Sequence, residues 1–263
     1  LNNKNKKNKK KFAIITGGTG RIGSVFVNEL LHQNYEVLIL SRSKNKFTQQ
    51  IKLFPNNLKK KIHWSFFDLL DEKSLESTLD YIYKKSKKKI DCLINCASNS
   101  KRGEFNKYTL SSASLELKGV FESSFLLTEK VLPLIRKSGA GKIINVGSLW
   151  GAVAPNYKTY LKLNIGPSSI TSSGKSAFMH YTKVLASREA RFGITSNNLV
   201  PGWFPRKGKV ENKMYIKNIC DQIPMKRIGQ LKDLNGAIKF LISEESRYFN
   251  GQDLIVDGGF TIL

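Results

Sequence analysis

Seven short apolar runs alternating with longer stretches of helical spacing constrain this chain more than any other feature of its sequence. The runs cover residues 12–16, 36–41, 62–67, 90–95, 142–147, 194–200 and 253–257. Most are nearly continuous in apolar residues, as a strand covered on both faces must be. Between them, apolar spacing predicts helices over 22–33, 72–85, 110–137, 171–191 and 231–243. Such alternation implies βαβ units with right-handed crossovers. The predicted fold class is therefore α/β, a doubly wound parallel sheet with helices on both faces. Stretches 151–170 and 201–224 show no clear period. Both follow strand ends, where open α/β sheets place their ligands.

The 263 residues contain no internal repeat and no second pattern. We expect one domain over 12–263, preceded by a disordered basic arm over 1–11. A chain of this length buries a large core without metals or disulfides. Cys92 and Cys96 sit in an apolar strand run with no accompanying His or Cys pair, so they read as small buried hydrophobes in a reducing cytoplasm and no metal site is expected. No apolar stretch approaches the ~18 residues of a membrane span. The four apolar residues Phe12 to Ile15 are too few for a signal peptide.

The formal charge is +24. Lys4, Lys6, Lys7, Lys9, Lys10 and Lys11 form one basic run, and Lys84, Lys85, Lys87, Lys88 and Lys89 a second. No aromatic residues interleave them, as a single-strand nucleic-acid surface requires. They read as solvated, with nucleic acid not expected as a partner and a field that attracts anionic small molecules.

Chemistry begins at Thr16-Gly17-Gly18-Thr19-Gly20-Arg21-Ile22-Gly23, between the first strand and the first helix. Glycines let the backbone turn sharply and approach a phosphate with no Cβ in the way. The helix start offers free N–H groups and partial positive charge, and Ile22 packs the helix onto the sheet. This context predicts a dinucleotide's diphosphate on Gly17, Thr19, Gly20, Arg21, Ile22 and Gly23. The second strand ends at Ser41-Arg42. An acidic residue there suits a ribose 2′-hydroxyl, whereas a guanidinium binds a 2′-phosphate bidentately. We expect NADP(H), with NAD(H) as second choice.

With these pieces the sequence resembles the short-chain dehydrogenase/reductase family, from Phe12 nearly to the C-terminus. Further matches are Asp68-Leu69, Asn95-Cys96-Ala97-Ser98, Ser148, Lys175, Pro201-Gly202 and Asp257-Gly258-Gly259. The resemblance implies a seven-stranded Rossmann sheet, hydride transfer between a nicotinamide and an alcohol or carbonyl, and a homodimer or homotetramer. It places Asp68 on the adenine amino group with Leu69 beside the ring. Asn95 and Ala97 then fall on the adenosine side, Lys175 on the nicotinamide ribose and the Pro201-Gly202 backbone at the nicotinamide. Ser148 holds the substrate oxygen. The segment 146–156 is also similar to a branch acting on nucleotide-linked or surface sugars.

Several positions depart from the family pattern. The turn carries Arg21 where the family has glycine. Glu116 stands where the family has an asparagine that supports the lysine through water. The Tyr-x-x-x-Lys motif reads Thr171-Ser172-Ser173-Gly174-Lys175. A phenol, with reference pKa near ~10, is acidified by the lysine and the oxidised nicotinamide and exchanges a proton with the substrate oxygen. The hydroxyl of Thr171 is far less acidic. Three readings stay open: Tyr157 or Tyr160 takes over; Thr171 and Ser148 relay a proton through water to Lys175; or the domain binds cofactor without turnover. The catalytic candidates are Ser148, Thr171 and Lys175. The expected function is an NADP(H)-dependent oxidoreductase of a sugar or nucleotide-sugar-type substrate, with a catalytically degenerate cofactor-binding homologue or partner subunit, or a 3-oxoacyl thioester reductase, as alternatives. Family dimers pair the helices over 110–137 and 171–191, where Phe121, Phe125, Phe178 and Tyr181 offer apolar bulk.

Overall fold

A computed structural model describes residues 10–99, 102–103, 108–157, 166–205 and 213–263; residues 102, 103 and 213 are described by their backbone alone. The strands of the main sheet are β1 (Lys11–Thr16), β2 (Tyr35–Ser41), β3 (Ile62–Phe66), β4 (Cys92–Asn95), β6 (Lys142–Val146), β8 (Thr195–Pro201) and β9 (Asp253–Val256). They pair in parallel in the order β3-β2-β1-β4-β6-β8-β9. Two-residue strands β5 (Arg102–Gly103) and β7 (Gly166–Pro167) form a separate antiparallel pair. The helices are α1 (Arg21–His32), α2 (Lys44–Ile51), α3 (Asn56–Lys59), α4 (Glu72–Lys85), α5 (Leu110–Leu117), α6 (Ser123–Arg136), α7 (Leu149–Ala152), α8 (Ser169–Glu189), α9 (Lys213–Gln222) and α10 (Asn235–Ile242). The expected seven-stranded Rossmann architecture is present. Among the described residues, no helix is long and apolar enough to cross a membrane.

Alternate side chains of each strand enter opposite layers. Phe12 and Ile14 of β1 join Leu38, Leu93 and Ile143 under α4, α6 and α8, where Ile82, Val131 and Leu185 are buried. Ala13 and Ile15 join Val37, Ile94 and Ile144 under α1 and α10, with Phe26, Leu30 and Ile238. Each fully buried Ile or Leu contributes roughly 1.5–3 kcal/mol, so the two layers dominate the stability of the sheet that holds the ligand-bearing loops.

A row of polar side chains interrupts this apolar sheet. Asn95 donates to Asn145 Oδ1 at 2.8 Å and to Thr128 Oγ1 at 2.9 Å. Asn145 donates to Thr182 Oγ1 at 2.8 Å, Thr182 to Asn198 Oδ1 at 2.7 Å, and Asn198 to Asp253 Oδ1 at 2.6 Å. The four strand positions are direct cross-strand partners.

Three differences from the sequence reading have local causes. Lys11 starts β1, one residue before the expected strand, and its ammonium meets Glu244 at 2.8 Å; residues 1–9 of the expected arm lie outside the described residues. The helix expected over 110–137 is broken by a π turn at Lys118–Glu122. There the carbonyl of Gly119 accepts the N–H of Asn99 at 2.9 Å, and a Cβ on Gly119 would lie 2.7 Å from Asn99 Cβ. The stretch 201–224 contains α9, whose Tyr215 and Ile219 are buried with Ile223 beneath Trp203 and Trp150.

Candidate active site

The first βα turn is built as its glycines require. Gly17 has φ +68°, a conformation that favours glycine, and its N–H donates to Leu40 O at 2.7 Å. The N–H of Gly20 closes the turn on Gly17 O at 2.8 Å. Gly23 packs so tightly that a Cβ there would lie 2.2 Å from Gly17 O. Thr16 Oγ1 accepts the N–H groups of Cys96 and Ala97, both at 3.0 Å, which ties the ends of β1 and β4 together. Helix α1 has no side-chain cap and no acidic residue in its first turn, so its leading N–H groups and partial positive charge suit an anion.

A groove of about 310 Å³ opens beside this turn. Of the sequence-derived candidates, Gly17, Thr19, Gly20, Ser41, Arg42, Asp68, Leu69 and Ala97 line it. Lys46 lines it too and was missed by motif reading. Its signal was the basic run Arg42-Ser43-Lys44-Asn45-Lys46, which Ser43 turns into α2 by accepting the N–H of Lys46 at 3.2 Å. Arg42 Nη1 lies 4.0 Å from Asp68 Oδ2. Asp68 also accepts the N–H of Leu70 at 3.0 Å, which holds its carboxylate at the groove wall.

Other candidates fall elsewhere. The Arg21 side chain donates to Phe204 O at 2.6 Å and braces the loop after β8, so only its backbone belongs to the turn. The Asn95 side chain is buried in the polar row within the sheet. Ile22 and Gly23 pack behind the turn, with Ile22 against the sheet. At Pro201-Gly202, the N–H of Gly202 donates to Val256 O at 2.9 Å, so β8 runs into its loop alongside β9. Phe121, Phe125, Phe178 and Tyr181 pack on one another, with centroids 5.0–6.3 Å apart, and so serve the core of one subunit.

The candidates Ser148, Thr171 and Lys175 lie on α7, α8 and the end of β6. Ser148 caps α7 by accepting the N–H of Trp150 at 3.2 Å. Ser168 caps α8 and accepts the N–H of Thr171 at 3.3 Å. Lys175, one turn on, donates its ammonium to Val146 O at 2.7 Å. Burial lowers its pKa to about 8. The hydroxyl of Thr171 donates to Glu116 Oε1, a contact between α8 and α5 that motif reading did not foresee. The Tyr157 hydroxyl bonds Pro167 O at 3.3 Å and meets Ser169 Oγ at 3.4 Å, at the head of α8. Tyr160 lies outside the described residues. Burial raises the Cys92 and Cys96 thiols to about 12, so neither is a thiolate nucleophile near neutral pH.

Beyond β8, Trp203 meets Trp150 at 5.9 Å and Tyr215 at 6.2 Å, and Phe260 lies 5.6 Å from Trp150. This aromatic cluster joins α7, the β8 loop, α9 and the C-terminal turn into one wall beside Ser148.

Known proteins share this fold. A chloroplastic tropinone reductase homolog of Arabidopsis thaliana is 28% identical over 254 residues, covering 95% of this chain and 75% of that protein. A short-chain dehydrogenase of Leptospira borgpetersenii with bound NAD+ is 28% identical, with TM-score 0.82, covering 96% of this chain and 93% of that one. A gluconate 5-dehydrogenase of Burkholderia cenocepacia, in complex with NADP and tartrate, is 25% identical with TM-score 0.82 and 96% coverage of both chains. The family model described as Enoyl-(Acyl carrier protein) reductase matches residues 19–261. That match spans most of the chain, and this chain is a member of the short-chain dehydrogenase/reductase family of oxidoreductases.

Proposed function

We propose that this chain is an NADP(H)-dependent oxidoreductase acting between the alcohol and carbonyl forms of a sugar or polyol. The observation that carries the cofactor choice is the pair of cations, Arg42 and Lys46, lining the groove beside the glycine turn. A 2′-phosphate there meets two positive groups and the Ser41 and Ser43 positions. The uncapped head of α1 suits the diphosphate. Asp68, Leu69 and Ala97 are offered to the adenosine, Lys175 to the nicotinamide ribose, and the backbone of Pro201-Gly202 to the nicotinamide ring. The bound cofactor supplies or accepts hydride, and Ser148 orients the substrate oxygen. The substrate class rests on the likeness to the gluconate 5-dehydrogenase and on the segment after Ser148.

Calorimetric titration with NADPH and NADH tests the cofactor claim. NADPH should bind more tightly, and Arg42→Ala should weaken it by about 10- to 150-fold, the ~1.5–3 kcal/mol of a hydrogen bond to a charged group. Lys46→Ala should act in the same direction, and added salt should weaken both contributions. Binding of neither nucleotide to folded protein would overturn the proposal. A turnover panel of sugars, polyols and 3-oxoacyl thioesters decides the substrate class.

The replacement of the phenol by Thr171 favours a second reading, a catalytically degenerate homologue that binds cofactor alone. Thr171→Tyr separates the two: a large gain in rate marks a weakened enzyme, and silence in both forms marks a binding protein. We further propose a cytoplasmic homodimer or homotetramer formed through α5, α6 and α8, on which Leu115, Leu126 and Val184 remain exposed. A strict monomer by light scattering would refute it.

A further inference from the structure

The proposed activity needs a group that exchanges a proton with the substrate oxygen, and the family's phenol is absent. Thr171 and Glu116 offer another route. The Thr171 hydroxyl donates to Oε1 of Glu116, and the two residues are only 9% and 8% exposed. Thr171 is fixed by its N–H on the Ser168 cap, and the Lys175 ammonium is held by Val146 O. Glu116 is fixed in the last turns of α5, just ahead of the π turn anchored to Asn99. A carboxylate accepts hydrogen bonds and does not donate them, and a hydroxyl donates only one hydrogen. With that hydrogen aimed at Glu116, the Thr171 oxygen can only accept from a substrate alcohol.

We propose that Thr171 and Glu116 together replace the phenol. Thr171 is the catalytic residue in contact with the substrate oxygen, and Glu116 is a positioning residue that holds the proton through it. In alcohol oxidation, the substrate hydroxyl gives its proton to Thr171 Oγ1 while Thr171 gives its own to Glu116 Oε1. The carbinol C–H bond breaks, and its hydrogen leaves with both electrons for an oxidised nicotinamide. The products are a carbonyl, a reduced nicotinamide, an unchanged threonine and a neutral Glu116, which returns its proton to water. Carbonyl reduction runs the same chain in reverse. This inference rests on the oxidoreductase activity proposed above.

A brace between α5 and α8 would need no acid, because a glutamine oxygen accepts the same hydrogen bond without taking a proton. Glu116→Gln therefore separates relay from brace. We expect it to lower kcat by about 10²- to 10⁴-fold with little change in KM. Thr171→Val should do the same, Thr171→Ser should recover most of that loss, and the double variant should be no slower than either single one, as for residues acting as a unit. Melting temperature and calorimetric NADP+ binding verify that each variant is folded and loaded. A readout independent of turnover is the infrared carboxyl band isolated by subtracting the Glu116→Gln spectrum from that of the cofactor-free parent. Thr171→Val should shift this band and Thr171→Ser should not. An unshifted band, or Glu116→Gln turning over as fast as the parent, overturns the relay and leaves the oxidoreductase reading standing. Cofactor binding with no turnover of any substrate by the parent overturns both.

Discussion

Replacing Gly23 by alanine tests the geometry on which cofactor binding depends. The added Cβ would lie 2.2 Å from Gly17 O and 2.9 Å from both Gly17 C and Gly18 Cα. Even a weak C–H···O contact needs about 3.3–3.6 Å. The head of α1 must therefore retreat from the turn by about 1 Å. Those neighbours are backbone atoms of a turn hydrogen-bonded to β2, so they cannot swing aside as a side-chain end could. Overpacking of this kind costs about 1–3 kcal/mol, or roughly 2–12 °C in melting temperature for a domain near this size. The retreat also moves the N–H groups proposed for the diphosphate. Losing one hydrogen bond to a charged group, about 1.5–3 kcal/mol, weakens binding by about 10- to 150-fold. Thermal melts and calorimetric NADPH titration measure both effects. Gly236→Ala is the control: nothing lies within 4 Å of its Cβ position, and it sits in α10. That change should stabilise by up to about 1 kcal/mol. If Gly23→Ala melts and binds like the parent, the close approach of helix and turn is not what shapes the site.

Two further outcomes follow from buried charges. Lys175 has its pKa lowered from 10.5 to about 8 by burial. Between those values the unfolded chain holds the proton that the folded chain has lost, so stability rises with pH there, and below about 8 the full penalty of a buried ammonium applies. Lys175→Met should therefore raise the melting temperature of the cofactor-free protein at pH 7, by an amount that shrinks as pH climbs from about 8 to 10.5; a variant less stable at pH 7 would show that the bond to Val146 O outweighs burial. Glu189 has a fully buried side chain gripped by Arg136 Nε at 2.7 Å and Arg188 Nε at 2.7 Å. Glu189→Gln should cost about 1–3 kcal/mol at pH 7. The Arg136 hydrogen bond holds this carboxyl below its usual 4.5, so its contribution is complete above 4.5 and is lost as pH falls through the lowered value. Melts from pH 7 to pH 3 should show the two proteins converging, and a constant difference would contradict the assignment.

The sheet was legible because most strands covered on both faces are nearly continuous in apolar residues, and their ends agree with the structure within two residues. The break at Gly119 was not legible, because it depends on Asn99, which approaches from another loop. Helix α9 carried a readable signal in Tyr215, Ile219 and Ile223, spaced four apart, but the prolines and glycines around it suggested a loop. Helix α2 has only Phe47 and Ile51 as apolar anchors and buries neither fully. At the site, the glycine turn was legible from its spacing between a strand and a helix, whereas Lys175 was singled out by the family resemblance. The bond between Glu116 and Thr171 joins residues 55 positions apart, and no spacing rule reaches that far. Arg21 shows the same limit, since its place in the motif says nothing of its side chain, which reaches Phe204 O.

The polar row across β4, β6, β8 and β9 bears on how these strands find their partners. A strand that is apolar at every position carries no alternation to forbid slippage, and a shift of two residues keeps every side chain on its own face. Such a shift would strand the amides of Asn95, Asn145 and Asn198 among aliphatic neighbours, at about 1–3 kcal/mol for each group left unsatisfied. It would also carry the loop behind β4 or β6 about 7 Å along the sheet, taking Ala97 away from the glycine turn or Ser148 away from Lys175. The asparagines thus act as alignment marks, and they sit on the strands whose misalignment would dismantle the site.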